Sequence, residues 1–87
     1  MWYVYLIECE NRSLYTGITD NLERRFQEHK IGKGAKYTRI YRPLKLVYFE
    51  EHKDKGSALS RESQIKKWTK QKKLALINKD FELLKKL

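Results

Sequence analysis

The chain has 87 residues, and its twenty Lys plus Arg against eleven Asp plus Glu leave a formal charge of +9. A core of this size buries only about 60–65% of the surface its unfolded chain exposes, which excludes a second domain, while 40% hydrophobic and 13% aromatic content excludes simple disorder. No apolar run approaches a membrane span, and the lone Cys9 excludes both an intramolecular disulfide and a zinc cluster at finger spacing.

Met1 leads straight into Trp2-Tyr3-Val4-Tyr5, without the basic region and apolar stretch of a signal peptide, so a reducing, cytoplasmic setting is expected. Residues 2–9 are aromatic and β-branched enough to read as a strand. Glu10-Asn11-Arg12-Ser13 reads as a turn and 14–18 as a second strand, which together predict a hairpin. The first strand carries apolar groups on both faces (Trp2, Val4, Leu6 and Tyr3, Tyr5, Ile7), so both need a cover of helices. Asp20 or Asn21 is a suitable N-cap for a helix over 22–30. The stretch 32–42, with two glycines and Pro43 after it, reads as a loop. A third strand is expected over 44–51 and a helix from about Ala58 to Trp68. Thr69 or Asn78 could start short further helices, with Ile77, Phe81, Leu84 and Leu87 available for packing. The order β-β-α-β-α-α predicts a small single-domain α/β sandwich, its three strands flanked by helices. Residues 1–79 form the domain, and 80–87 a helical extension packed on it.

Polar groups on apolar faces are the first chemical signal. At about 100° per residue, Leu22, Arg25, Phe26 and His29 share one arc of the first helix. Either polar residue alone reads as the edge of an apolar stripe, with Arg25 snorkelling its charge to water. Two of them one turn apart, between apolar anchors, point to a site. On the later helix Glu62 lies on the same face as Ala58, Ile65 and Thr69. A carboxylate there needs a partner: Arg61, Arg25 or Lys66 within the chain, or a metal ion. One protein carboxylate is a poor structural site but is normal for Mg²⁺, which keeps its waters and shares substrate phosphates.

The basic residues cluster. Between Lys30 and Lys45 stand Lys30, Lys33, Lys36, Arg39, Arg42 and Lys45 with no acid, and Tyr37 and Tyr41 interleave with them as stacking on bases requires. Gly32 and Gly34 let backbone approach phosphate. A second basic set runs from Arg61 through Lys66, Lys67, Lys70, Lys72 and Lys73 to Lys79, for which a solvated surface is an equal reading.

Tyr3-Val4-Tyr5, Tyr15-Thr16-Gly17 and Asn21-Leu22-Glu23-Arg24-Arg25 with His29, followed by a helix glutamate, resemble the GIY-YIG nuclease superfamily, its small stand-alone bacterial members above all. The likeness covers nearly the whole chain, including Gly32 to Arg39 and Glu62 to Lys66. It implies a three-stranded antiparallel sheet flanked by helices, and cleavage of DNA phosphodiesters with Mg²⁺ or Mn²⁺. By position it implies Tyr5 and Tyr15 as the motif tyrosines, Arg25 as the contact to the scissile phosphate and Glu62 as the metal ligand. His29 matches a histidine that assists proton transfer or positions a tyrosine. The two tripeptides are imperfect copies, and Ile18 stands where excinuclease relatives carry a lysine.

The leading expectation is a structure- or single-strand-directed DNA endonuclease of repair or processing. Its catalytic set is Tyr5, Tyr15, Arg25, His29 and Glu62, and its nucleic-acid contacts are Lys33, Lys36, Tyr37 and Arg39. DNA is the expected partner, with RNA as an alternative ligand and a targeting protein as a further partner. Two alternatives stand beside it: a non-catalytic nucleic-acid-binding module of the same fold, and a protein-interaction module whose lysines keep it soluble.

Overall fold

The computed structural model describes residues 1–87. Strands β1 (Trp2–Cys9) and β2 (Leu14–Thr19) form the expected antiparallel hairpin. Its loop closes with Arg12 in the left-handed region at φ 69°, the Arg12 N–H donating to Cys9 O at 2.8 Å and the Cys9 N–H to Ser13 O at 2.9 Å. Asn11 steadies this turn by accepting from the Ser13 N–H and hydroxyl. A left-handed residue at the end of a three-residue loop matches the twist of the strands it joins.

Strand β3 (Pro43–His52) pairs antiparallel with the other side of β1, giving the order β2-β1-β3 with β1 in the centre. Tyr5 lies opposite Gly17 on β2 and Phe49 on β3. A register shift between Leu6 and Ile7 leaves Val47 as the extra residue of β3. On one face Val4 and Leu6 join Ala58, Ile65 and Leu76 in the larger core, with Trp2, Ile18, Trp68 and Leu84 packed around it. On the other face Tyr5, Ile7 and Cys9 meet Leu22, Phe26, Tyr15 and Leu46. Helices therefore cover both sides of β1, as its two apolar faces require.

Helix α1 (Leu22–Lys30) starts at Asn21, whose side chain accepts from the Arg24 N–H at 3.0 Å. It ends at Gly32, in the left-handed region at φ 81°, with the Gly32 N–H on His29 O and the Lys33 N–H on Glu28 O. That is a Schellman stop, so Gly32 here ends a helix. Helices α3 (Lys55–Lys66), α4 (Lys70–Ile77) and α5 (Phe81–Lys86) start at Asp54, Thr69 and Asp80, each side chain accepting a backbone N–H of the first turn.

Three sequence expectations change. The stretch 32–42 is not wholly loop: it contains a five-residue helix, α2 (Lys36–Ile40), so the order is β-β-α-α-β-α-α-α. Ala35 offers no side-chain cap, and so short a helix is fixed by its tertiary contacts rather than by propensity. The Glu62 helix runs over 55–66 rather than 58–68, because Asp54 caps it earlier and Thr69 begins the next helix. Asn78 ends α4 instead of starting a helix, and Asp80 takes that role.

Candidate active site

The α1 face of the sheet brings two tyrosines and a histidine together. Tyr5 points from the central strand toward α1 and is 2% exposed. Opposite it, Gly17 supplies the clearance its ring needs: a Cβ at that position would stand 2.5 Å from the Tyr5 hydroxyl. Tyr15, two residues earlier on β2, presents its ring to the same side. His29, in the last turn of α1, is fully buried, and its ring lies 5.8 Å from that of Tyr5 and 5.1 Å from that of Tyr15.

One chain of hydrogen bonds fixes the histidine. The Thr38 hydroxyl donates to Ala35 O at 3.1 Å, which leaves its lone pairs to accept from His29 Nδ1–H at 2.7 Å. Nε2 is then the bare nitrogen, and it accepts from the Tyr5 hydroxyl at 2.7 Å. Gly34 closes over the imidazole so tightly that a Cβ would overlap the ring. Burial, helped by the Arg25 charge, pulls the His29 pKa down to about 4, and burial pushes the Tyr5 phenol up to about 12 against the pull of Arg25. Both groups stay neutral in the folded chain. Tyr15 makes no side-chain hydrogen bond, so its hydroxyl is free for a ligand or water.

Arg25 reaches the rim of this cluster from α1, about a third exposed, with one nitrogen donating to Glu28 at 3.2 Å. A guanidinium has five donors, so most of the fork stays available. Glu62 approaches from α3, near enough for its charge to act on the Tyr5 phenol, with its side chain 15% exposed. Of the three internal partners considered for it, the structure selects Lys66, at 3.3 Å. Arg61 pairs with Glu50 instead and Arg25 with Glu28. Nowhere do three or more His, Cys, Asp or Glu side chains gather as a metal cage.

The residues expected to contact nucleic acid divide. Tyr37 stacks on Tyr15 with ring centroids 6.2 Å apart, touches the Tyr41 ring, and donates its hydroxyl to Ser13. Lys33, Lys36 and Arg39 are exposed around α2. Arg39 lines a basic depression with Lys30 and Arg42, floored by His29 and Thr38.

Residues 1–75 match the family model described as the GIY-YIG catalytic domain. The chain belongs to the GIY-YIG family. Among its relatives, a UPF0213 protein of Clostridium perfringens is 55% identical over 78 residues, covering 90% of this chain and 84% of that one. A UPF0213 protein of Haloquadratum walsbyi is 48% identical over 81 residues, covering 93% and 91%. The solution NMR structure of a UPF0213 protein from Bacillus halodurans is similar at 40% identity and a TM-score of 0.57, over 90% of this chain and 84% of that chain.

Within this GIY-YIG chain the structure brings together Tyr5, Tyr15, Arg25 and His29, with Glu62 at the edge. Ile18 packs into the core on the α3 side, on the opposite face of the sheet from Tyr15. Sequence reasoning missed Thr38 as the anchor of His29 and missed the clearances at Gly17 and Gly34. No sequence periodicity signals these contacts, because Gly34 and Thr38 reach His29 only after the chain reverses beyond helix α1.

Proposed function

We propose that this chain is a divalent-metal-dependent endonuclease that hydrolyses DNA phosphodiesters, directed to single strands or to branched structures, in a cytoplasmic repair or processing role. The observation that carries the reading is the directed hydrogen-bond chain Tyr5–His29–Thr38 beside a second tyrosine with a free hydroxyl. Hydrolysis needs an oriented water, neutralised phosphoryl oxygens and a route for the proton. Tyr15 orients the water through its free hydroxyl. Tyr5 presents a lone pair to the same water, because its own proton is committed to His29. A proton can land on the Tyr5 oxygen only as that proton passes to Nε2, and a His29 held neutral above about pH 4 keeps this acceptor open. Arg25 sets its remaining donors against the non-bridging oxygens, where a bidentate, permanently charged fork suits best.

Glu62 is the residue that would hold a metal ion. The fit is that of a single carboxylate on which a cation already rests, the Lys66 ammonium. One carboxylate suits Mg²⁺ or Mn²⁺, which retain waters and share substrate phosphates. When bound, such an ion supplies Lewis-acid stabilisation of the phosphoryl group.

A non-catalytic binding module of the same fold is the second reading, favoured by Ile18, which offers no cation to Tyr15. Incubation of the purified protein with single-stranded, flapped and branched DNA in Mg²⁺, Mn²⁺ or EDTA separates the two. Cleavage confined to the metal-containing reactions is the expected result. Binding without cleavage under every condition supports the second reading.

A further inference from the structure

A groove of about 230 Å³ opens on the far side of the β2 edge, between that strand and helices α3 and α4. Its lining includes Tyr15, Thr16, Tyr37, Lys66 and Lys73. Thr16 is 3% exposed, and its hydroxyl is the one buried side-chain polar atom of the chain with no hydrogen-bond partner. A buried hydroxyl left without a partner is costly, and a ligand in the groove would relieve it. The two ammonium groups nearby point to the sign of that ligand. Lys73 is half-buried, and burial together with the charge of Lys66 lowers its pKa. Two like charges drawn toward one partly buried groove beside an unsatisfied donor are relieved by an anion. Lys66 is at present turned to Glu62 at 3.3 Å, and its side chain is 52% exposed, so it can reach either group.

We propose that Thr16, Lys66 and Lys73 form a phosphate-binding subsite that takes a backbone phosphate of the substrate strand next to the one being cleaved. The inference rests on the nucleic-acid reading above. Tyr15 and Tyr37 line both the groove and the tyrosine–histidine cluster, so a strand held here crosses the β2 edge with a base free to stack on Tyr37. The position also gives Lys66 two duties. It occupies Glu62 in the free chain, and a cation that takes over the carboxylate frees Lys66 to close on the phosphate.

The test is the binding of a labelled single-stranded oligonucleotide in EDTA, over a salt series, to the wild-type chain and to Lys73→Ala and Thr16→Val. Without metal the readout is independent of cleavage. Lys73→Ala, which removes one charged phosphate contact, should flatten the log-affinity against log-salt slope by about 0.7, which is about fivefold in affinity at 0.1 M salt. The uncharged Thr16→Val exchange should weaken binding and leave the slope unchanged. Thr16→Val separates ligand from packing, because removing an orphaned buried hydroxyl should leave the melting temperature unchanged or raise it. Weaker binding at an equal or higher melting temperature supports the subsite. If the wild-type chain binds and both variants match it in affinity and slope, the groove holds no phosphate, and the subsite alone fails. If the wild-type chain binds no oligonucleotide even at low salt, the nucleic-acid reading fails and takes the subsite with it.

Discussion

His29 enters the core uncharged: burial first, and then the Arg25 guanidinium, draw its pKa from 6.5 to about 4. The unfolded imidazole protonates near pH 6.5 and the folded one resists until about pH 4. The stability contributed by the neutral ring is therefore complete above pH 6.5 and is lost as pH falls through that window. At 1.36 kcal/mol per pH unit the loss is about 2 kcal/mol between pH 7 and 5. Glu50 also has a depressed pKa, but it titrates below its ordinary value of 4.5, so the upper part of the window belongs to His29. Denaturant melts at pH 7 and 5 should show this loss in the wild type and a flattened dependence in His29→Gln. An equal dependence in both would assign it elsewhere. The helical arc of Leu22, Arg25, Phe26 and His29 makes this cluster legible in the sequence, since side chains one turn apart must share a face. Thr38 was not legible, because it meets His29 through a chain reversal that no periodicity encodes. Nor does a glycine reveal in a sequence which ring lies over it, as at Gly17 and Gly34.

The helix that carries Glu62 is tied to the sheet by a polar clamp. Glu50 on β3 accepts from the Tyr48 hydroxyl and the Arg61 guanidinium, and His52 bridges Glu50 to Ser57 on α3. Hydrogen bonds from Tyr48 and His52 and the charge of Arg61 outweigh burial and hold the Glu50 carboxyl below its usual range. Arg61 is the neighbour of Glu62, so the clamp sets the roll of α3 that aims Glu62 past the β2 edge. Glu50→Ala leaves Arg61 and Tyr48 without their acceptor. It should cost about 1–3 kcal/mol, with roughly 4–8 °C of melting temperature for each kcal/mol in a domain this size. Any cleavage per folded molecule should fall as well. A normal melting curve would show that the clamp holds nothing. The strands, the hairpin and the longer helices were legible because caps, turn residues and aromatic or β-branched runs mark them locally. Helix α2 was not, because its stability comes from Thr38 on His29 and Tyr37 on Tyr15, contacts with distant parts of the chain.

At the scale of the whole molecule, a net charge of +9 on 87 residues attracts polyanions. Changing Lys33, Lys36 and Arg39 together to Ala should reduce the salt slope of duplex binding by up to about 3 and weaken all sequences alike. An unchanged slope would move the binding surface to the lysines of α3 and α4. In the proposed function the tyrosine–histidine cluster, Arg25 and Glu62 act as one reaction centre. Glu62→Gln keeps the side-chain shape and removes the charge a divalent ion requires. Its neutral amide is no harder to bury, so folding should survive. The most direct measurement is the rate of DNA cleavage in Mg²⁺ by wild type and Glu62→Gln, each with its melting curve. A metal-holding Glu62 gives a fall of about 100-fold or more in cleavage with an unchanged or slightly shifted melting temperature. A destabilised Glu62→Gln protein that cleaves normally per folded molecule would contradict it, and would leave Glu62 as no more than the partner of Lys66.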